Sequence, residues 1–208
     1  HGKERPELLY NLGTAYLDVG FTDKAKKYYM EALSLNGDSA YHFSLLAWLE
    51  FSCENLEESV KMARRMFETD TTSYIDLFIY SLIPNNGQES FYHAQRMIQR
   101  YKKINAVNLI QTHRIGYAYE QVGKIMEARE YYDKQIEISE KSAKLNRAGS
   151  QRKQTQSVLS QVYAVTGNKE KAYHYLDELN TMNFFPLWRI SLVKHDPMYN
   201  SIRHEDRF

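Results

Sequence analysis

Residues 112–135 read THRIGYAYEQVGKIMEAREYYDKQ. Small residues stand at Gly116, Gly123 and Ala128, and large ones at Ile115, Tyr119 and Tyr132, in the order expected of two short helices joined by a tight turn at Gly123. Gly116 and Ala128 fall where two antiparallel helices approach most closely, so a larger side chain at either would push the helices apart. Tyr119 and Tyr132 fill the space beside them. The stretch therefore encodes one helix-turn-helix unit.

The same pattern recurs along the chain. Leu9, Leu12-Gly13, Tyr16, Gly20, Ala25, Tyr29 and Ala32 form a nearly complete copy, and Phe43, Leu46-Ala47, Ser59, Ala63 and Met66 form another. A weaker copy uses Leu77, Tyr80-Ser81, Ala94, Ile98 and Tyr101, and a last one Leu159-Ser160, Tyr163, Gly167, Ala172 and Leu176. The small residues of the first helices, Gly13, Ala47, Ser81, Gly116 and Ser160, are spaced by 34, 34, 35 and 44 positions. An ordinary bundle has no reason to hold such a register, whereas stacked repeats do.

The period and the Leu-Gly, Tyr, Ala, aromatic order resemble the tetratricopeptide repeat. That resemblance implies an all-α fold, a right-handed α-solenoid of about five helix-turn-helix repeats with a C-terminal capping segment. The expected boundaries are a solenoid over 1–180, with repeats near 6–39, 40–73, 74–108, 109–142 and 153–180, a basic insertion at 143–152, and a cap over 181–208. Pro6 suits a first helical position, where a missing N–H costs nothing. Turns are expected near Gly20, Asn36-Gly37, Asn55, Asn85-Asn86-Gly87, Gly123 and Gly167-Asn168.

Composition narrows the functional classes. Lys and Arg number 27 against 26 Asp and Glu, so there is no basic excess of the kind a dedicated nucleic-acid binder carries. Cys53 is the one cysteine, which excludes an intrachain disulfide and a thiolate metal cluster; it reads as a packing residue. No apolar run reaches the ~20 residues of a membrane-spanning helix. Gly123-Lys124 lacks the earlier Gly and the following Ser or Thr of a phosphate-binding loop, with Ala118 and Ile125 in those places. His42, His93, His113, His174, His195 and His204 are scattered with no i, i+4 pair, so no zinc site is expected. These readings point to no catalytic residue, no cofactor and no metal, and to a non-enzymatic module. Beginning at His1, the sequence reads as a processed or excised piece, and its compartment stays open between cytoplasm and periplasm.

In a helical solenoid the first helices of successive repeats line a shared groove, the expected site for a peptide or partner segment. Projecting the register places Tyr10, Thr14 and Leu17 there from the first repeat, and Tyr41, Ser44, Trp48 and Phe51 from the second. Ile75, Phe78 and Leu82 follow from the third, His113, Tyr117 and Glu120 from the fourth, and Gln154, Ser157 and Gln161 from the fifth. The lining is aromatic and apolar at its amino end and polar at its carboxyl end. Two alternatives stand beside partner binding: the aromatics pack on neighbouring helices, or the chain's own tail fills the groove. The family's carboxylate-clamping co-chaperones use Lys and Asn on these helices. Tyr10, Thr14, Leu45, Ile75 and Ile79 occupy the corresponding places, so capture of a terminal carboxylate is not expected.

Lys141, Lys144, Arg147, Arg152 and Lys153 surround the insertion with one acid, Glu140. They read either as solvated ends of two lengthened helices or as a dock for an acidic partner. The end of the chain is the second informative stretch. Pro186-Leu187-Trp188, Val193-Lys194-His195-Asp196-Pro197-Met198-Tyr199 and Ile202-Arg203-His204-Glu205-Asp206-Arg207-Phe208 resemble the double Asp-Pro tail that closes repeat arms of bacterial multidomain regulators. Ile202 replaces a Leu, and Glu205-Asp206 stands for the second Asp-Pro. The resemblance implies the interaction or sensory arm of a protein with a cyclase, kinase or DNA-binding effector. Physically the tail reads as a cap, with Asp196 starting a short helix and Tyr199, Ile202 and Phe208 as anchors. A homo-oligomerising scaffold is the alternative function, and an enzyme with an unrecognised site the weakest.

Overall fold

The computed structural model describes residues 5–35, 39–70, 87–103, 112–145, 150–181 and 184–208. Among the described residues there are ten α-helices and no strand: α1 (Pro6–Asp18), α2 (Thr22–Ser34), α3 (Ser39–Ser52), α4 (Leu56–Thr69), α5 (Gly87–Lys103), α6 (Thr112–Gln121), α7 (Ile125–Lys144), α8 (Ser150–Val165), α9 (Lys169–Asn180) and α10 (Leu187–His195). A 3₁₀ turn follows at Pro197–Tyr199. The architecture is all-α and built of antiparallel hairpins of the α-solenoid kind, α1 with α2, α3 with α4, α6 with α7 and α8 with α9. The turns placed at Asn36-Gly37 and Asn85-Asn86 lie outside the described residues.

The hairpin contact forms as the small residues require. A Cβ on Gly13 would stand 2.5 and 2.6 Å from the Tyr29 ring and 3.2 Å from the Ala25 carbonyl oxygen. On Gly116 it would stand 2.8 and 2.9 Å from the Tyr132 ring and 3.0 Å from the Ala128 carbonyl oxygen. These distances are shorter than packed carbons tolerate, so glycine at both positions is a steric requirement. In α3–α4 the buried Ala47 and Ala63 take the small places, and the Ser59 hydroxyl donates to the Ala47 carbonyl at 2.8 Å.

The turns repeat as closely as the contact does. Phe21, Asn55, Lys124 and Asn168 each donate a backbone N–H to the carbonyl five residues back, on Tyr16, Glu50, Tyr119 and Tyr163, at 2.8 to 3.0 Å. That bond closes a helix C-terminus when the preceding residue is left-handed. Gly20, Gly123 and Gly167 supply φ of +89°, +79° and +84°, and in the second hairpin Glu54 adopts φ +64° without glycine's freedom.

Three pairs of tyrosines take part in this repetition. Tyr16 and Tyr28 stack with centroids 5.4 Å apart, Tyr163 and Tyr175 at 5.9 Å, and Tyr119 and Tyr131 lie tilted at 5.3 Å, each pair twelve residues apart. One side chain comes from each helix of a hairpin, so the pair fixes how the two helices meet.

The chain forms two compact units. The first comprises His1–Ile83 with Phe184–His195, and the second Pro84–Asn183 with Asp196–Phe208. The expected division placed all of 181–208 in one terminal cap. Instead α10 belongs to the first unit, and the segment from Asp196 onward to the second. In the first unit the core joins Tyr10, Leu17, Tyr29, Leu49, Phe51 and Met62 to Leu192 of α10. In the second, α5 packs on α6 with Phe91 edge-on to Tyr119 at 4.9 Å, and Tyr117, Tyr132, Val158 and Val162 close around Met198.

Candidate functional site

In the first unit α10 packs against the first helices of the two hairpins, α1 and α3. Leu187 and Trp188 pack against the core, Leu192 is buried in it, and the Ser191 hydroxyl donates to the Ser52 carbonyl at 3.2 Å. Trp188, Ser191, Leu192 and His195 recur at the spacing of one helical stripe, which aims them together. Trp188 meets Trp48 edge to face with centroids 5.6 Å apart. At the end of α10, Lys194 Nζ lies 2.5 Å and His195 Nε2 3.3 Å from the carboxylate of Glu54, the residue in the left-handed turn. Those bonds hold the exposed Glu54 carboxyl below the usual range.

Beside this docked helix is a cleft of about 250 Å³ lined by Thr14, Leu17, Asp18, Tyr29, Leu45, Trp48 and Trp188. Thr14, Leu17 and Trp48 belong to the expected groove lining; Asp18, Tyr29, Leu45 and Trp188 do not. Thr14 Oγ1 and the Tyr29 hydroxyl are 3.2 Å apart, and burial pushes the Tyr29 phenol up to about 12. Of the other residues projected onto this face, Tyr10, Ser44 and Phe51 are buried, and Tyr41 is exposed with its edge against the Tyr10 ring at 5.1 Å. Ile75, Phe78 and Leu82 lie outside the described residues.

In the second unit the expected polar lining is buried and paired. The Arg114 guanidinium and the Asp196 carboxylate are both inaccessible to solvent and form a two-pronged ion pair, Nη1 to Oδ1 at 3.0 Å and Nη2 to Oδ2. Gln161 Nε2 donates to Asp196 Oδ2 at 2.9 Å and the Met198 N–H to Oδ1 at 3.1 Å, so the Asp of Asp-Pro both caps the 3₁₀ turn and neutralises a buried cation. The Ser160 and Tyr199 hydroxyls meet at 2.6 Å, and Tyr199 and Ile202 are fully buried. Phe208 stays partly exposed, and Arg207 pairs with Glu170 and Asp177 at 3.2 Å. Tyr117 and Ser157 are buried too, and the Glu120 carboxylate accepts from the Tyr132 hydroxyl at 2.6 Å within its own hairpin.

His113, projected into the groove, is enclosed, with Nδ1 3.2 Å from Gln135 Oε1, which also accepts from the Thr112 hydroxyl at 2.7 Å. Burial, then the Arg114 charge, holds its pKa down to about 3 against bonds to Gln135 and Gln161 that pull upward. The unfolded chain has an ordinary histidine near pH ~6.5 and so binds more protons than the folded chain between these values. The histidine's contribution is therefore intact above pH ~6.5, and stability falls by about 2 kcal/mol between pH 6.5 and 5. Urea denaturation at the two pH values measures this, and His113→Gln should flatten that slope.

The basic insertion extends two helices. α7 runs to Lys144 and α8 starts at Ser150, with Lys141 and Lys144 exposed in the last turn of α7, where cations suit the helix dipole. Lys153 is partly exposed and Gln154 exposed on α8, while Arg147 and the side chain of Arg152 lie outside the described residues. Cys53 is free and partly buried, and burial raises its thiol pKa. Among the described residues no group of three His, Cys, Asp or Glu could hold a metal, and no helix is long and apolar enough to cross a membrane.

The hairpins with glycine at the contact, α1–α2 and α6–α7, coincide with two matches to the tetratricopeptide repeat family model, over residues 6–39 and 113–142. These two hairpins are similar to tetratricopeptide repeats. Comparison with curated proteins and with solved structures gave no match. Such repeats generally mediate protein–protein interaction, which directs attention to the face that α10 covers rather than to a catalytic centre.

Proposed function

We propose that this chain is a protein-interaction module whose exchangeable site is the face of α1 and α3, where it takes up a helical partner segment bearing an aromatic anchor. The seating of α10 on that face carries the reading: a nine-residue helix contributes Trp188 and Leu192 to a surface that Trp48 and Leu45 help to build. The partner is a protein or peptide, and the mechanism is replacement of one helix by another. The two halves of the tail differ in how firmly they are held. From Asp196 onward the tail is tied by a fully buried ion pair, whose rupture costs about 3–5 kcal/mol, and it acts as a permanent cap. α10 is held by Leu192 in the core, by a half-buried Trp188, by the Ser191–Ser52 bond and by exposed ion pairs, the last each worth about 1 kcal/mol or less.

In this reading the chain is the interaction or sensory arm of a larger bacterial regulatory protein. The Asp196-Pro197 tail and the recurring hairpins support that context, and partner uptake would be relayed to an effector through α10. The test is exchange in trans. A labelled, end-capped peptide of residues 184–195, FFPLWRISLVKH, is added to the intact chain and to its Trp188→Ala variant. In the wild type the tethered helix competes at an effective concentration near ~1 mM. Removing its anchor should raise peptide affinity at least about tenfold. Self-association without peptide uptake would favour a homo-oligomeric scaffold instead.

A further inference from the structure

The cleft beside α10 brings aromatic rings and a carboxylate together. Its walls include the indoles of Trp48 and Trp188, with the buried Tyr29 behind them, and the Asp18 carboxylate stands in the same lining. Asp18 Oδ1 is shielded from solvent and has no hydrogen-bond partner, an arrangement that leaves a carboxylate oxygen uncompensated. Burial raises the Asp18 carboxyl above its ordinary value, against a hydrogen bond from Trp188 that lowers it. The volume, about 250 Å³, is just below the ~300 Å³ at which drug-sized sites begin, so it suits a compact head group.

Aromatic faces attract a cation through their quadrupoles, and they do so best for one whose charge is spread over alkyl groups and weakly hydrated. A carboxylate at the edge of such walls supplies the balancing charge, while Leu17 and Leu45 exclude ions that must keep their water. We infer that the cleft between α1, α3 and α10 binds a small quaternary ammonium compound, its alkylated nitrogen held against the partly exposed Trp48 and Trp188 with Asp18 as counter-ion. A primary ammonium would surrender too much hydration to enter walls of this kind. The site is complete with α10 in place, so it is tested on the intact chain and does not rest on exchange of α10 with a partner helix.

Trp48 and Trp188 are the only two tryptophans of the chain, so fluorescence excited selectively in tryptophan, past the absorption of the 17 tyrosines, reports on this cleft. The experiment titrates the intact protein with choline chloride and, separately, with 3,3-dimethylbutan-1-ol, the neutral compound in which carbon replaces the nitrogen. Both titrations are repeated on Asp18→Asn, a near-isosteric change at a partly exposed position. Choline should give a saturable change, with the neutral compound at least about tenfold weaker and choline weakened at least about tenfold in Asp18→Asn. The comparison of the two compounds on the unaltered protein needs no variant to fold. Equal binding of the neutral compound, equal choline binding by Asp18→Asn, or no saturable response to choline overturns the inference.

Discussion

Replacing Asp196 by alanine is expected to destabilise the second unit by about 3–5 kcal/mol, the cost of leaving a buried cation without its partner. Arg114 is fully enclosed and its guanidinium is matched by both Asp196 oxygens, so no water can take the carboxylate's place without opening the core. The same substitution removes acceptors for Gln161 and for the Met198 N–H, and with them the start of the 3₁₀ turn. In a thermal melt the loss should appear as a drop on the order of 10–20 °C. Replacing both members, Arg114→Met with Asp196→Asn, should cost less than Asp196→Ala alone, because no buried charge is stranded and the cap survives. A drop under about 1 kcal/mol for Asp196→Ala would show that the pair is exposed in solution.

Gly116→Val should cost about 3 kcal/mol, by overpacking the line where α6 meets α7. Its Cβ alone would stand 2.8 Å from the Tyr132 ring and 3.0 Å from a backbone oxygen. The ring cannot swing aside freely, because its hydroxyl is bonded to Glu120. Gly20→Ala makes the useful contrast. Nothing lies within 4 Å of its Cβ, and only the left-handed φ of +89° opposes it, so it should cost about 1 kcal/mol. Urea midpoints of the two variants separate a steric role for glycine from a conformational one. Equal costs would mean that helix contact is not what fixes the residue at 116.

What could be read in the sequence was the part that repeats locally. Gly13 with Tyr29, and Gly116 with Tyr132, are sixteen residues apart in each hairpin, so composition and offset together specify the contact. Asp196 as the cap of a short helix was legible for the same reason, since donor and acceptor are two residues apart. Its second partner was not: Arg114 lies 82 residues away, and no periodicity links the two. The projected groove met the same limit. The register grouped Thr14, Leu17 and Trp48, which line one cleft, but Asp18 and Trp188 were invisible to it, Trp188 because it arrives from α10, far along the chain. His113, Tyr117, Ser157 and Gln161 sit on first helices as projected and are nevertheless enclosed. Polar side chains read as groove lining when their buried partners, such as Gln135 and Asp196, come from other elements. The chain's own tail had been one of the alternatives for the groove, and in the first unit it is the occupant of the α1 and α3 face.

Anisotropy titration of the labelled 184–195 peptide into three intact proteins tests the central claim most directly: the wild type, Trp188→Ala, and Trp188→Ala combined with Trp48→Ala. The account predicts saturable binding to Trp188→Ala, at least about tenfold weaker uptake by the wild type whose own α10 competes, and equally weakened uptake by the double variant, which lacks the receiving indole. Indistinguishable titrations of all three, or no uptake by Trp188→Ala, would contradict it.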